Sequence, residues 1–185
     1  MEQEEDEALM LATGRGDRAA FSVLVRRHLG RASAIAGRML GNAAEAEEVV
    51  QEAFLRVWQK APAWRPDGGA RFTTWLARVL VNLCIDRRRR ARSVPLEDAP
   101  EMPDPGLGAE ESLVAAERRR HVEAALARLP DRQRAAVVLS YYEGLSNAEV
   151  AGALDVSVGA VESLLVRARR GLAQMLGHLA ALEEA

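Results

Sequence analysis

Apolar residues recur along this chain at spacings of three and four, and no segment keeps the two-residue alternation of a half-buried strand. The pattern predicts helices. The first covers about residues 5–13 and stops at Gly14-Arg15-Gly16. Asp17 is placed to cap a long second helix carrying Phe21, Leu24, Val25, Leu29, Ile35 and Met39, which ends at Leu40-Gly41-Asn42. A third lies in AAEAEEVVQEAFLRVWQKA, with Val50, Phe54, Val57 and Trp58 as its buried face. Its acidic first turn, Glu45 with Glu47 and Glu48, suits the positive end of a helix dipole. Pro62 and Pro66 bracket a loop that runs through Asp67-Gly68-Gly69. Thr73 or Thr74 then opens a fourth helix, TTWLARVLVNLCIDRRRRAR.

The helical pattern breaks at SVPLEDAPEMPDPGLGAEES, which holds four prolines, two glycines and six acidic residues without one basic residue. Such a composition makes a solvated tether, not a core-forming segment. The period returns from about Leu113, through VEAALARL, and Pro130 divides this from DRQRAAVVLSYYEG. The last stretch is LSNAEVAGALDVSVGAVESLLVRARRGL. Ser146 with Glu149 is a capping box that starts a short helix presenting Val150, Ala151 and Leu154 on one face. Asp155 tolerates the left-handed conformation of a tight turn, and Ser157 can cap a second helix. In that helix Val161, Leu164, Leu165, Ala168, Leu172 and Met175 share one sector. Gly159, Ser163, Val166 and Arg170 occupy the opposite sector, flanked by Glu162 and Arg167. A short helix, a tight turn and a second helix with a small, polar and basic outer face form a helix-turn-helix, whose second helix enters the DNA major groove. The same pattern also suits a plain helical hairpin. The fold class expected is all-α: a helical domain over 1–92, a flexible acidic linker over 93–112, and a helical domain over 113–185 containing the helix-turn-helix.

Composition sharpens this reading only locally. The 185 residues carry a net charge of −2, so total charge says nothing of nucleic acid. The acidic start (Glu2, Glu4, Glu5, Asp6, Glu7) contrasts with the cationic run Arg87-Arg88-Arg89-Arg90-Ala91-Arg92. A single cysteine, Cys84, excludes an internal disulfide and fits a buried apolar run. His28, His121 and His178 are scattered, without metal-ligand spacing, and no nucleophile constellation or phosphate-cradling loop occurs. No cofactor, metal or catalytic residue is expected. No apolar span is long enough to cross a bilayer, and the acidic start is unlike a signal peptide, which gives a cytoplasmic expectation.

Three blocks in order resemble the extracytoplasmic-function (group IV) sigma factors of bacterial RNA polymerase. They are DRAAFSVLVRRH with AEEVVQEAFLRVW, then FTTWLARVLVNLCIDRRRR, then LPDRQRAAVVLSYYEGLSNAEVAGALDVSVGAVESLLVRARRGL. The resemblance implies a non-enzymatic initiation subunit whose partners are core RNA polymerase (the β′ clamp and the β subunit), promoter DNA and an anti-sigma factor, with no membrane insertion. It implies that Glu47, Glu48, Gln51 and Arg56 face the clamp, although a solvated helix face would look the same. It assigns the −10 element to the segment from Trp64 to Arg92, with Trp64, Arg65, Arg71, Trp75, Arg78, Asn82, Arg87, Arg88, Arg89 and Arg90 as candidates. Extruded bases need aromatic surfaces to stack on and cations to hold their phosphates, which this segment supplies. Phe72 and Trp75 also serve as core volume, and Trp64, in a loop, is the better candidate for DNA. The −35 duplex falls to Gly159, Glu162, Ser163, Val166, Arg167 and Arg170. Many relatives place cations where this chain has Glu162 and Leu164. The linker is expected to thread the polymerase's active-centre cleft and RNA-exit channel.

A second reading is an autonomous helix-turn-helix regulator whose N-terminal helices only dimerise it. The segment from Trp64 to Arg92 separates the two, since a dimerisation module needs neither a loop tryptophan nor an arginine run.

Overall fold

The computed structural model describes residues 2–65, 71–93 and 113–183, and all regular structure among them is helical. The expected linker lies outside the described residues except for Ser93, which is the last residue of a helix. The loop from Pro66 to Ala70 lies outside them too.

Four helices form the N-terminal half. Helix α1 spans Glu2–Gly14 and α2 spans Arg18–Leu40. Asp17 caps α2 by accepting from the Ala19 and Ala20 amides, and Gly41 ends it in the left-handed conformation at φ 70°. Helix α3, Ala43–Lys60, begins at Asn42, whose side chain accepts from the Glu45 amide. A single 3₁₀ turn over Ala61–Ala63 follows, and α4 runs Phe72–Ser93, beginning one residue before Thr73 and two before Thr74.

The C-terminal half contains α5 (Leu113–Arg128), α6 (Asp131–Val137), α7 (Asn147–Leu154) and α8 (Val158–Glu183). After α6 the chain widens into one π-helical turn over Val138–Tyr142, closed by the Glu143 amide donating to the Val138 carbonyl at 3.1 Å. Nothing in the three-and-four spacing announces that turn. Helix α4 packs on α7, and α2 touches α5 and α6, so the buried residues of both halves join in one apolar cluster.

Two details of α2 differ from the sequence pattern. Leu29 is 45% exposed, and His28 takes the inward position beside Leu24, Ala32, Ile35 and Ala36. The reason is a partner on α1. Asp6 is itself buried, and its carboxylate stands 2.8 Å from His28 Nε2 and 2.6 Å from an Arg27 Nη. Burial pushes the His28 pKa below its ordinary value and outweighs the opposing pull of Asp6. The folded protein therefore holds His28 neutral, with Nε2–H donating to Asp6. The unfolded chain protonates this histidine below about pH 6.5 and the folded chain does so only at lower pH, so acidification favours unfolding. We expect the urea midpoint to fall between pH 7.5 and pH 5.5, and His28→Asn to flatten that change. An equal pH dependence in the variant would locate the effect elsewhere.

Candidate nucleic-acid interface

The helix-turn-helix is built locally. The Ser146 hydroxyl accepts from the Glu149 amide while the Glu149 carboxylate accepts from the Ser146 amide at 2.9 Å. These Ser146 bonds hold the Glu149 pKa below its ordinary value. Asp155 turns the chain at φ 55°, and the Ser157 hydroxyl accepts from the Ala160 amide at 3.2 Å to start α8. Val161, Leu165 and Ala168 are buried, and Leu164, Leu172 and Met175 pack against the core with partial exposure.

The opposite side of α8 stands open. Gly159, Glu162, Ser163, Val166, Arg167 and Arg170 are all exposed. Five of them, all but Arg170, line a shallow depression of about 400 Å³. Ser163 donates back to the Gly159 carbonyl at 3.0 Å, and Arg167 Nε donates to the Ser163 carbonyl at 3.1 Å, which lays the arginine along the helix. Glu162 lines the depression and, among the described residues, forms no ion pair with Arg167 or Arg169. A small-residue floor, one carboxylate and cations at the rim are groups that can touch base edges and phosphates.

The second cluster lies where α3 and α4 meet. Trp64 stands edge-on to Phe72 and Trp75, with ring centroids at 6.2 Å and 5.6 Å. Phe72 is 1% exposed and is core. Trp64 and Trp75 are half-buried and, with Arg56, Lys60, Arg65 and Val79, line an open cleft of about 460 Å³. Two apolar ring edges among three cations suit an unstacked base and its phosphates. Arg56 thus joins the aromatic cleft as well as the α3 surface to which the family resemblance assigned it, held by Glu52 at 2.8 Å. Lys60 was not anticipated. Its signal was its position four residues after Arg56, on the same face of α3.

From Arg71, just before α4, Trp75, Arg78 and Asn82 follow along the helix at three- and four-residue spacing, and Asn82 is exposed. The cationic run is not uniform. Arg87 pairs with Glu48 at 2.7 Å, and Arg88 pairs with Asp131 at 2.6 Å while donating to the Met39 carbonyl at 3.3 Å. Arg89 lies 3.1 Å from Asp86, and both Arg89 and Arg90 are exposed. Cys84, beneath the run, is buried, and its pKa is pushed up to about 12, so it remains an inert thiol.

On α3, Glu47, Glu48 and Gln51 are exposed, with the Gln51 amide donating to Glu47 at 3.3 Å. Leu55 continues this face at 55% exposure. Its exclusion from the buried set Ala46, Val49, Val50, Ala53, Phe54 and Val57 was readable from the helical period. A single exposed leucine is ordinary on a protein surface, so Leu55 adds apolar area to this face without by itself marking a contact. Among the described residues no cluster could hold a metal ion, and no helix is long and apolar enough to cross a membrane.

Both halves match known protein families. Residues 24–94 match Sigma-70 region 2, and residues 119–172 match Sigma-70, region 4. The pair defines a promoter-recognition protein of the sigma-70 class. SigM of Mycobacterium tuberculosis, an ECF RNA polymerase sigma factor, is 38% identical over 177 residues, covering 94% of this chain and 86% of SigM. SigW of Bacillus subtilis, another such factor, is 32% identical over 176 residues, covering 89% and 93%. Among solved structures, CnrH in complex with the cytosolic domain of CnrY superposes with a TM-score of 0.69 at 30% identity, covering 94% of this chain and 98% of that one. The sigma factor RpoE of Bartonella quintana, solved with the anti-sigma factor NepR, shares the fold at a TM-score of 0.67 and 23% identity, covering 85% of this chain and 96% of that one. The chain belongs to the ECF family of RNA polymerase sigma factors, and it directs transcription initiation.

Proposed function

We propose that this sigma factor divides promoter recognition between its two clusters. The open outer face of α8 is the observation that carries the proposal: six exposed residues opposite a buried stripe, on the second helix of a helix-turn-helix. On this reading Gly159, Glu162, Ser163, Val166, Arg167 and Arg170 meet the −35 duplex. The cleft of Trp64, Arg65 and Trp75, with Arg71, Arg78, Asn82 and the arginine run, receives the melted −10 strand. The α3 face of Glu47, Glu48 and Gln51, with Leu55, docks on the β′ clamp of core polymerase. The chain contributes no catalytic group, and RNA synthesis belongs to the core enzyme. An anti-sigma factor completes the set of partners, as CnrH and RpoE are each captured with a protein of their own.

Permanganate footprinting tests the division. Thymines of the −10 element should become reactive with holoenzyme, and Trp64→Ala should suppress that reactivity while −35 protection persists. Loss of both together would contradict separate roles.

Glu162 sets a second expectation. A carboxylate is repelled by phosphate but accepts from a cytosine N4 amino group. Glu162→Lys should raise affinity across many −35 sequences and erode discrimination at one base pair by about 1–3 kcal/mol. Competitive selection of −35 variants by the two holoenzymes reads this directly. Identical preferences at every position would leave Glu162 as a helix-dipole charge only.

A further inference from the structure

Helix α1 supplies none of the side chains that line either cleft, yet it grips the aromatic one at two points. Near its start, the buried Asp6 carboxylate accepts from His28 Nε2 at 2.8 Å and so fixes the plane of that ring. The imidazole meets Phe72 edge-on, with centroids 5.1 Å apart and planes at 61°. Phe72 in turn stands 6.2 Å from Trp64 and 6.2 Å from Trp75. One hydrogen bond from α2 to α1 therefore orients the first ring of a packed series whose last two members are the walls of the cleft.

At its other end α1 meets the 3₁₀ turn backbone to backbone. A Cβ on Gly14 would lie 2.6 Å from the Ala61 carbonyl oxygen and 3.0 Å from its carbon, so one of the two segments would have to shift. That same oxygen accepts from the Trp64 amide at 3.1 Å. The turn that launches Trp64 thus rests directly on the end of α1, and Gly14 is glycine for reasons of space. The indole has no tether of its own, because Trp64 Nε1 is buried without a hydrogen-bond partner among the described residues. Its place is set by the backbone turn and by packing.

A stacking surface is sensitive to small displacements. A gap of about 0.5–1 Å already forfeits about a quarter to a half of each dispersion contact. Whatever fixes the two tryptophans therefore bears on how well a base is held between them.

We propose that α1 is the positioning element of the aromatic cleft: Asp6, through His28 and Phe72, and Gly14, through the Ala61 carbonyl, hold Trp64 and Trp75 at the separation that accepts an unstacked −10 base. This rests on the reading of the cleft as the −10 surface. Neither Asp6 nor Gly14 touches DNA, and both act through the rings. Their reach differs. Phe72 contacts both tryptophans, so the Asp6 grip governs both, whereas the Gly14 grip acts on Trp64 first.

The test uses the full chain labelled with 5-fluorotryptophan, free and as holoenzyme. Its three tryptophans give three fluorine signals. Trp58 is the internal reference, since it stands edge-on to Phe21 at 5.3 Å and has no ring contact with the cleft among the described residues. Asp6→Leu fills the buried site but removes the acceptor, and Asp6→Asn keeps an acceptor of the same shape. Gly14→Ala adds one methyl in an exchange that otherwise favours a helix. Ile35→Val, a truncation elsewhere in the core, controls for stability. Asp6→Leu should move the Trp64 and Trp75 signals, Gly14→Ala chiefly the Trp64 signal, and neither the Trp58 signal. Asp6→Asn and Ile35→Val should leave all three in place.

Opening is then followed with holoenzyme as the time course of permanganate reactivity at −10 thymines, on a promoter recovered by run-off transcription from a fragment library. The maximal opening rate should fall about 5-fold or more in Asp6→Leu and in Gly14→Ala, the lower end of what one aromatic–base stack is worth. The holoenzyme concentration for half-maximal opening should change less than about twofold, because these variants leave the −35 contacts intact. Cleft signals that stay at their wild-type positions in both variants, or opening slowed no more than in Ile35→Val, overturn the proposal. Displacement of all three signals together by both variants overturns it too, as does Asp6→Asn opening as slowly as Asp6→Leu. Undiminished opening by Trp64→Ala would instead contradict the −10 reading of the cleft, whatever α1 does, which keeps the two failures apart.

Discussion

Replacing Phe72 by alanine is expected to lower the unfolding free energy by about 3–5 kcal/mol, the range for removing a buried phenylalanine ring from a packed core. The ring is 1% exposed and stands 5.1 Å from the His28 ring, 6.2 Å from Trp64 and 6.2 Å from Trp75. It is the floor on which both cleft tryptophans lean. The cavity would therefore undermine the cleft as well as the core, and promoter opening should fall with stability. Trp64→Ala separates the two effects. It removes a stacking surface worth about 1–3 kcal/mol per base and leaves the buried set in place. Chemical denaturation checks the pair: a large midpoint shift for Phe72 and a small one for Trp64. Similar shifts would make Trp64 a core residue and not a DNA contact.

The arginine run should govern how promoter binding responds to salt. Each arginine that neutralises a phosphate contributes about 0.7–0.9 to the slope of log affinity against log salt. Arg87→Ala, Arg88→Ala, Arg89→Ala and Arg90→Ala together should flatten the holoenzyme's slope by about 3. Polymerase affinity is a separate matter, because Arg87 pairs with Glu48 on the α3 face and Arg88 ties the two halves through Asp131. The double variant of Arg89 and Arg90 is therefore the cleaner one. It should remove roughly half of that slope and leave core-polymerase binding unchanged. An unaltered slope in both variants would take the run out of the DNA interface.

What the sequence discloses here follows the range of the interactions involved. The helix-turn-helix was legible down to its residues because its determinants are local. Ser146 and Glu149 close a capping box, Asp155 adopts the left-handed turn, and the outer face of α8 is open where the period places it. The helix caps at Asp17 and Asn42 act over two or three residues as well. Contacts distant in sequence were not legible. Nothing near His28 tells that Asp6, 22 residues earlier, will draw it inward and leave Leu29 in solvent. Arg88 and Asp131 are 43 residues apart, and Arg71 and Glu149 are 78 apart, so a run that reads as uniform cationic surface is divided between structure and solvent. The π-helical turn over Val138–Tyr142 has no compositional mark, since its residues would fit an α-helix equally well.

Run-off transcription on a fragment library tests the central claim most directly. Core polymerase alone, the protein alone, and the two together would be incubated with the library, and transcript starts mapped. The account predicts discrete starts only in the combined reaction, each preceded by a shared −10 and −35 pair, with starts weakened in the Trp64→Ala and Arg89/Arg90 variants. Starts independent of the protein, or duplex binding by the protein alone without any polymerase-dependent transcript, would contradict it and favour an autonomous regulator.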